Sequence, residues 1–161
     1  MKVFSPERTY VGFLLGKAKV APVHGHTIPR LELCSAVLAI EIAEIVKDQL
    51  GIDNKSFKFY SYSQIVLGYI SNDTKRFHVY VANRVSRIRG FSDPKQWNYV
   101  QTDLNPADVA TRRLTASDLV FSDWLTGSVL LKEDAIHTAE TQNFPLVNPY
   151  DDKEIKTTIK C

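Results

Sequence analysis

The apolar pattern at the start of the chain predicts a β-hairpin. Residues 9–21 form an apolar run whose second half alternates polar with apolar residues, which is typical of a strand that emerges from burial toward its end. Residues 1–5 are predicted as its partner strand. Residues 6–8 would form the turn, because Pro6 presets turn geometry and cannot lie in a central strand.

A long amphipathic helix is predicted next, over residues 30–50. Pro29 opens it, because a missing N–H costs nothing in the first turn, and Gly51 ends it. The helical period separates a large apolar stripe, a small-residue stripe and a solvated acidic face. The large apolar stripe consists of Leu31, Cys34, Leu38, Ile42 and Ile45. The small-residue stripe consists of Ala36, Ala39 and Ala43, and the acidic face of Glu41, Glu44 and Asp48. Cys34 is predicted to be a buried small hydrophobe.

The following elements alternate between strand and helix patterns. They are a strand at 57–62, a helix at 63–70, a helix at 75–89, a strand at 97–100, a helix from Asn105 and a short helix at 116–124. Ser63 is a plausible N-cap. The order predicts an α/β domain with a mixed sheet over residues 1–113, and residues 114–161 as a helical turn followed by an acidic linker-like tail.

Composition supports one globular unit. The 161 residues are 44% hydrophobic and 24% charged, with no apolar run of membrane-spanning length and no secretory signal pattern. We therefore expect a soluble intracellular protein, cytoplasmic or nuclear, without a membrane partner. Residues 1–113 hold 16 Lys and Arg against 10 Asp and Glu, whereas residues 114–161 hold 4 against 8. A basic folded part is compatible with a polyanionic partner.

The residues offer few candidates for chemistry. His24 and His26 flank a loop glycine without a third ligand, so they are interpreted as solvated histidines rather than a zinc site. Glu32 lies in line with the alanine stripe, in the first helical turn and on a face that should be packed, where it either has a functional role or interacts favourably with the helix dipole. Asp108 lies three residues after Asn105, which equally fits a capping box. The turn at residues 61–63 ends a strand, where α/β folds often place functional groups.

Four segments in series resemble one protein family. They read KAKVAP at 17–22, IPRLEL at 28–33, YSYS followed by VLGYI within 60–70, and NPADVATR at 105–112. The series resembles the RNase H region of BEL/Pao retrotransposon Pol polyproteins, over roughly residues 11–131. The resemblance implies an RNase H-like mixed sheet flanked by helices, fused in its ancestors to reverse transcriptase and integrase regions. It also implies an endonuclease that cuts the RNA strand of RNA·DNA hybrids with two Mg²⁺ ions held by four carboxylates.

The carry-over of this site is incomplete. Glu32 matches the family's helix glutamate and Asp108 matches its last aspartate, so both are candidate catalytic residues and Mg²⁺ ligands. Tyr62 stands where the family has its strand-end aspartate, and a phenol is neutral at pH 7. The strand that carries the family's first aspartate is central in its sheet and is expected to be absent, which would make the domain N-terminally truncated. The resemblance therefore implies a degenerate site with weakened Mg²⁺ binding and impaired catalysis.

Three functions stay open at this point. The chain is a ribonuclease, a non-catalytic nucleic-acid-binding remnant, or a remnant without function. The binding alternative depends on basic residues predicted on the helix at 75–89, which equally suit an ordinary solvated face. They are Lys75, Arg76, Arg84, Arg87 and Arg89.

Overall fold

The computed structural model describes residues 1–4, 9–22, 24–111, 114–127, 144 and 152–156. Four strands and five α-helices are described, in the order β1 (Lys2–Phe4), β2 (Thr9–Val11), α1 (Ile28–Leu50), β3 (Phe59–Ser61), α2 (Gln64–Ser71), α3 (Val79–Arg89), β4 (Trp97–Tyr99), α4 (Ala116–Phe121) and α5 (Asp123–Thr126). The chain divides into unit 1, which comprises Met1–Ala18 and Val100–Glu140, and unit 2, which comprises Lys19–Tyr99 and Thr141–Cys161. The α/β class is confirmed.

Unit 1 contains the predicted hairpin. β1 and β2 pair antiparallel, with Lys2 opposite Val11 and Phe4 opposite Thr9. The predicted turn at residues 6–8 lies outside the described residues. The predicted strand at 9–21 is wrong beyond Val11, because the ladder ends where the Gly12 N–H donates to the Met1 carbonyl. The residues that follow, 12–20, are exposed and have no regular structure.

The rest of unit 1 is built from short helical turns. The helix predicted from Asn105 is a 3₁₀ helix over Pro106–Thr111, preceded by a 3₁₀ turn at Thr102–Leu104. The helix predicted at 116–124 is divided into α4 and α5 at Ser122, whose backbone is extended and whose N–H donates to the Leu119 carbonyl. Extended backbone cannot continue a helix, so the division follows from this one residue.

A small parallel sheet lies in unit 2. β3 and β4 pair in parallel, with Phe59 opposite Trp97 and Ser61 opposite Tyr99. Their crossover runs through α2 and α3. The described strands thus form one antiparallel and one parallel two-stranded sheet rather than the single mixed sheet that was predicted. The stacked rings of Phe59 and Trp97, with centroids 4.7 Å apart, join the two strands to the core.

Helix α1 follows its local signals. Pro29 lies in its first turn, and Gly51 ends it in the left-handed conformation, with φ of 64°. Glycine adopts this conformation without the penalty that other residues meet. The prediction that Cys34 is buried is wrong, because this side chain is only partly buried; Ile45 of the large apolar stripe is 48% exposed, whereas Ala36 and Ala43 of the small-residue stripe are buried. The fully buried positions are Leu33, Ala36, Leu38, Ile40 and Ala43.

Helix α3 begins four residues later than predicted. Phe77 forms an antiparallel bridge with Ile155, and the His78 N–H donates to the carbonyl of Glu154. Backbone groups engaged in that bridge cannot enter a helix, so Lys75 and Arg76 precede α3 instead of lying on it. The predicted apolar face is nevertheless buried, at Phe77, Val81, Val85 and Ile88.

A short segment near the end of the sequence, Asp152–Lys156, packs on unit 2. Ile155 is 2% exposed within the hydrophobic core, and Arg30 donates two hydrogen bonds to the Glu154 carboxylate, at 2.5 and 3.1 Å. The Tyr69 hydroxyl donates to Asp152 at 2.6 Å. The sequence reading of a linker-like tail did not anticipate this packing, and the division into residues 1–113 and 114–161 stays a prediction. None of the described helices has the length and apolar character needed to cross a membrane.

Candidate functional site

The turn between β3 and α2 is held by its two serines. Ser61 Oγ accepts a hydrogen bond from the Ser63 N–H at 3.1 Å. Ser63 Oγ accepts from the Val66 N–H at 3.3 Å and so caps α2, as its sequence position predicted. Ser63 is buried, at 6% exposure. The backbone of the turn is therefore fixed at both ends by local hydrogen bonds.

Glu32 meets this turn from helix α1. The hydroxyl of Ser63 donates a short hydrogen bond to Glu32 Oε2, across 31 positions of sequence. Glu32 is the fifth residue of the helix, because α1 begins at Ile28, so its predicted place in the first turn is wrong. The helix-dipole interpretation weakens accordingly, since that effect fades beyond the first turn. The structure thus brings together two of the three sequence candidates, Glu32 and the 61–63 turn.

Tyr62 occupies the middle of this turn and is 44% exposed. It directly follows Ser61, the last residue of β3, and precedes Ser63, which contacts Glu32. A phenol carries no charge at neutral pH and is a weak partner for a hard cation. Residues 61–63 carry no carboxylate of their own, and a hydrogen bond brings that of Glu32 to the turn.

These residues do not fit a two-magnesium centre. Mg²⁺ takes oxygen ligands in octahedral geometry, and two neighbouring ions need several carboxylates to offset their charge. Within the described ranges, no group of three or more His, Cys, Asp and Glu side chains is placed to hold a metal ion. The carboxylate of Glu32 is already engaged by Ser63.

Asp108 lies in unit 1, on the 3₁₀ helix Pro106–Thr111, where it is partly buried. Its N–H donates to the carbonyl of Asn105 at 3.1 Å, and the Asn105 side chain accepts from the N–H of Ala107 at 3.2 Å. The Asn105 side chain and carbonyl therefore both accept hydrogen bonds at the start of this helix, whereas the capping box, in which the Asp108 carboxylate bonds back to the Asn105 backbone, stays a prediction. A metal-binding role for Asp108 stays a prediction.

Three of the five predicted nucleic-acid-binding residues have partners within unit 2. The Arg84 guanidinium stacks 3.5 Å from the centroid of the Tyr80 ring and donates to the Tyr80 carbonyl. Arg87 pairs with Glu44 at 2.5 Å, and Arg89 with Asp73 at 2.5 Å. The hydrogen bond between Arg87 and Glu44 raises the pKa of the arginine and lowers that of the carboxyl.

The other two, Lys75 and Arg76, line an open groove of about 700 Å³ beside α3. Arg89 and Lys156 also contribute to its walls, and Phe77, Ala82 and Val85 contribute apolar surface. Sequence analysis missed Lys156, because its place depends on the bridge between Phe77 and Ile155, which no local pattern reveals. The nucleic-acid role of all five residues stays a prediction.

Comparison with known families finds one match. A family model described as "Pao retrotransposon-like RNaseH-like domain" matches residues 2–63. This span contains the hairpin, α1 with Glu32, and the turn through Ser63. It confirms the resemblance noted from the sequence, although the noted span of residues 11–131 is supported only up to Ser63. No curated protein and no solved structure gives a match.

Proposed function

We propose that the chain is a retroelement-derived RNase H-like domain with impaired cleavage of RNA·DNA hybrids, because residues 2–63 match the model of a Pao retrotransposon-like RNase H-like domain. The observation that carries the proposal is the residue at position 62. It is a tyrosine in the turn that Ser63 links to the Glu32 carboxylate. That link makes the turn the natural place for a second acidic group.

The physical reason for the impairment is electrostatic. Carboxylates that share a site repel each other, and the cations they bind are what offsets this repulsion. With tyrosine in place of one acid, the site attracts Mg²⁺ less strongly and supplies fewer of the oxygens the ion requires. By the scale of lost electrostatic and metal catalysis, we expect a rate deficit of at least about 10³-fold.

A second candidate function is nucleic-acid binding without cleavage. The observation that favours it is the groove beside α3, where Lys75, Arg76 and Lys156 meet. Phosphate backbones are held by such groups without any metal chemistry. A remnant with neither activity is the remaining alternative, and it predicts no binding above that of an unrelated protein of similar charge.

The proposal is tested by incubating a hybrid with end-labelled RNA in Mg²⁺ with the natural chain and with its Tyr62→Asp and Tyr62→Asn variants. We expect no cleavage by the natural chain or by Tyr62→Asn, which changes the size of the side chain without adding charge. Cleavage by Tyr62→Asp alone would identify position 62 as the site of impairment. Cleavage by the natural chain that Glu32→Gln abolishes would overturn the proposal.

A further inference from the structure

The groove beside α3 is strongly basic. We define the basic groove by Lys75, Arg76, Arg89 and Lys156, which line it together with the apolar surface of Phe77 and Val85. Asn72 fixes one rim: its side-chain oxygen accepts from the N–H of Lys75 at 2.9 Å, and its amide donates to the Lys75 carbonyl at 2.7 Å. The Asn72 side chain therefore fixes the backbone of Lys75 at the edge of the groove.

Arg76 and Lys156 are neighbours across the bridge that joins Phe77 to Ile155. The N–H of Lys156 donates to the carbonyl of Arg76 at 2.8 Å, so these two cationic residues lie next to each other beside the bridge. Both side chains are exposed. Like charges placed opposite each other repel, and although water screens much of the repulsion between exposed groups, an anion bound between them would interact favourably with both.

The charges of the groove are only partly balanced by the protein. Arg89 is engaged by Asp73 and by the carbonyl of Asn72. Lys75, Arg76 and Lys156, in contrast, form no salt bridge with any residue that the structure describes. Three cations thus face the same open space without a neighbouring carboxylate of their own.

From this arrangement we infer that the basic groove binds the phosphodiester backbone of a nucleic-acid duplex through Lys75, Arg76 and Lys156. The inference rests on the second function proposed above and deepens it by assigning a duplex as the partner and by linking its binding to the packing of Asp152–Lys156. It also removes Arg84 and Arg87 from that surface, because Tyr80 and Glu44 already engage them. The aromatic ring in the groove, Phe77, is buried, so bases have no exposed ring to stack on and recognition is independent of sequence.

The segment Asp152–Lys156 supplies one of the three cations, Lys156. The groove therefore has all three cations only when this segment is packed on the rest of unit 2. Ile155 is buried in the core, and the residue before it, Glu154, accepts two hydrogen bonds from Arg30. When this segment is released, Lys156 loses its fixed place beside Arg76. Duplex binding and packing of the segment are therefore coupled.

The test is fluorescence anisotropy of a labelled RNA·DNA hybrid of about 18 base pairs, titrated in EDTA at several salt concentrations. Non-specific duplex binding has a Kd of about 10⁻⁴ to 10⁻⁶ M, and the slope of log K against log salt falls by about 0.9 for each lost phosphate contact. Lys75→Ala, Arg76→Ala and Lys156→Ala are each expected to weaken binding several-fold and to reduce the slope by about that amount. Lys55→Ala is the matched control, because it removes the same charge from an exposed position outside the groove.

A second arm tests the coupling. Ile155→Ser is expected to weaken binding about as much as Lys156→Ala, and Lys156→Ala is expected to add little in that background. Full additivity of the two changes would overturn the coupling. The binding proposal fails if the three groove variants behave like Lys55→Ala, or if polyglutamate of equal charge competes as well as unlabelled hybrid. Because EDTA excludes metal-dependent cleavage, these outcomes are independent of the Tyr62→Asp experiment.

Discussion

Ser63 donates its hydroxyl to the carboxylate of Glu32, and the same oxygen accepts the N–H of Val66 at the start of α2. One buried side chain thus connects the second turn of α1 to the end of β3 and to the first turn of α2. The contact explains why an acid is tolerated on the packed side of α1. It also fixes the carboxylate at the turn that contains Tyr62.

Ser63→Ala is expected to destabilise the protein by about 1–2 kcal/mol. The change removes the N-cap of α2, which alone contributes about 1 kcal/mol in other proteins, and leaves Glu32 without its hydrogen-bond donor. Urea denaturation followed by circular dichroism measures the effect. Ser35→Ala is the control, because Ser35 is exposed and only bonds back to the Leu31 carbonyl of its own helix; equal effects of the two substitutions would contradict the role given to Ser63.

Ile155→Ala is expected to destabilise the protein by about 2 kcal/mol, the lower end of the range for a buried isoleucine, because the segment can detach instead of leaving a cavity. Ile155 is 2% exposed and packs in the same cluster as Phe77. Thermal unfolding measures the loss. Lys153→Ala, an exposed position in the same segment, should leave the unfolding temperature unchanged, and a similar drop for both variants would argue against packing of Ile155.

The pair of Glu44 and Arg87 predicts a small, pH-dependent contribution to stability. Arg87 lowers the pKa of Glu44 below its ordinary value of 4.5, so the folded protein binds a proton there less readily than the unfolded chain. The contribution is therefore present above the ordinary pKa and lost as the pH falls through the lowered one. Because the pair is exposed, it is expected to be about 0.5 kcal/mol or less.

Urea denaturation of the natural chain and of Glu44→Gln checks this sign. The natural chain should be slightly more stable at pH 7, and the difference should vanish near pH 3. A difference that grows as the pH falls would contradict the assignment. Addition of salt at pH 7 should also reduce the difference, because exposed ion pairs are screened.

Local signals predicted the elements that depend on local chemistry. Pro29 and Gly51 gave both ends of α1, and the serine at position 63 gave the start of α2, because capping depends on residues close in sequence. The start of α3 was wrong for the opposite reason. A bridge between Phe77 and Ile155, which are far apart in sequence, keeps residues 75–78 out of the helix.

The orientation of α1 shows a further limit of the pattern. Two apolar stripes share the helix, and the hydrophobic pattern alone does not determine which of them is buried more deeply. In the structure the alanines at positions 36 and 43 are buried while Ile45 is half exposed. Small side chains let α2 and α3 pack close to α1, and that close packing, which depends on the partners, decides which face is buried.

The candidate site was predictable in part. The helical phase of Glu32 placed an acid on a packed face, and the strand end at 61–63 was identified from alternation. That Ser63 would join them required the packing of α1 against α2. The basic groove could not be predicted from the sequence. Lys156 is placed there by a contact between residues far apart in sequence, and the pattern did not indicate that Arg84 and Arg87 have partners within the protein.

Tyrosine at position 62 is proposed to deprive the turn that Glu32 contacts of the carboxylate it would need to bind a divalent cation. Titration with Mn²⁺, followed by the electron paramagnetic resonance of the free ion, tests this claim without requiring catalysis. The natural chain and Tyr62→Asn should bind Mn²⁺ equally weakly, whereas Tyr62→Asp should bind it at least about tenfold more tightly, and Glu32→Gln should remove that gain. Tight binding by the natural chain that depends on Glu32 would contradict the account.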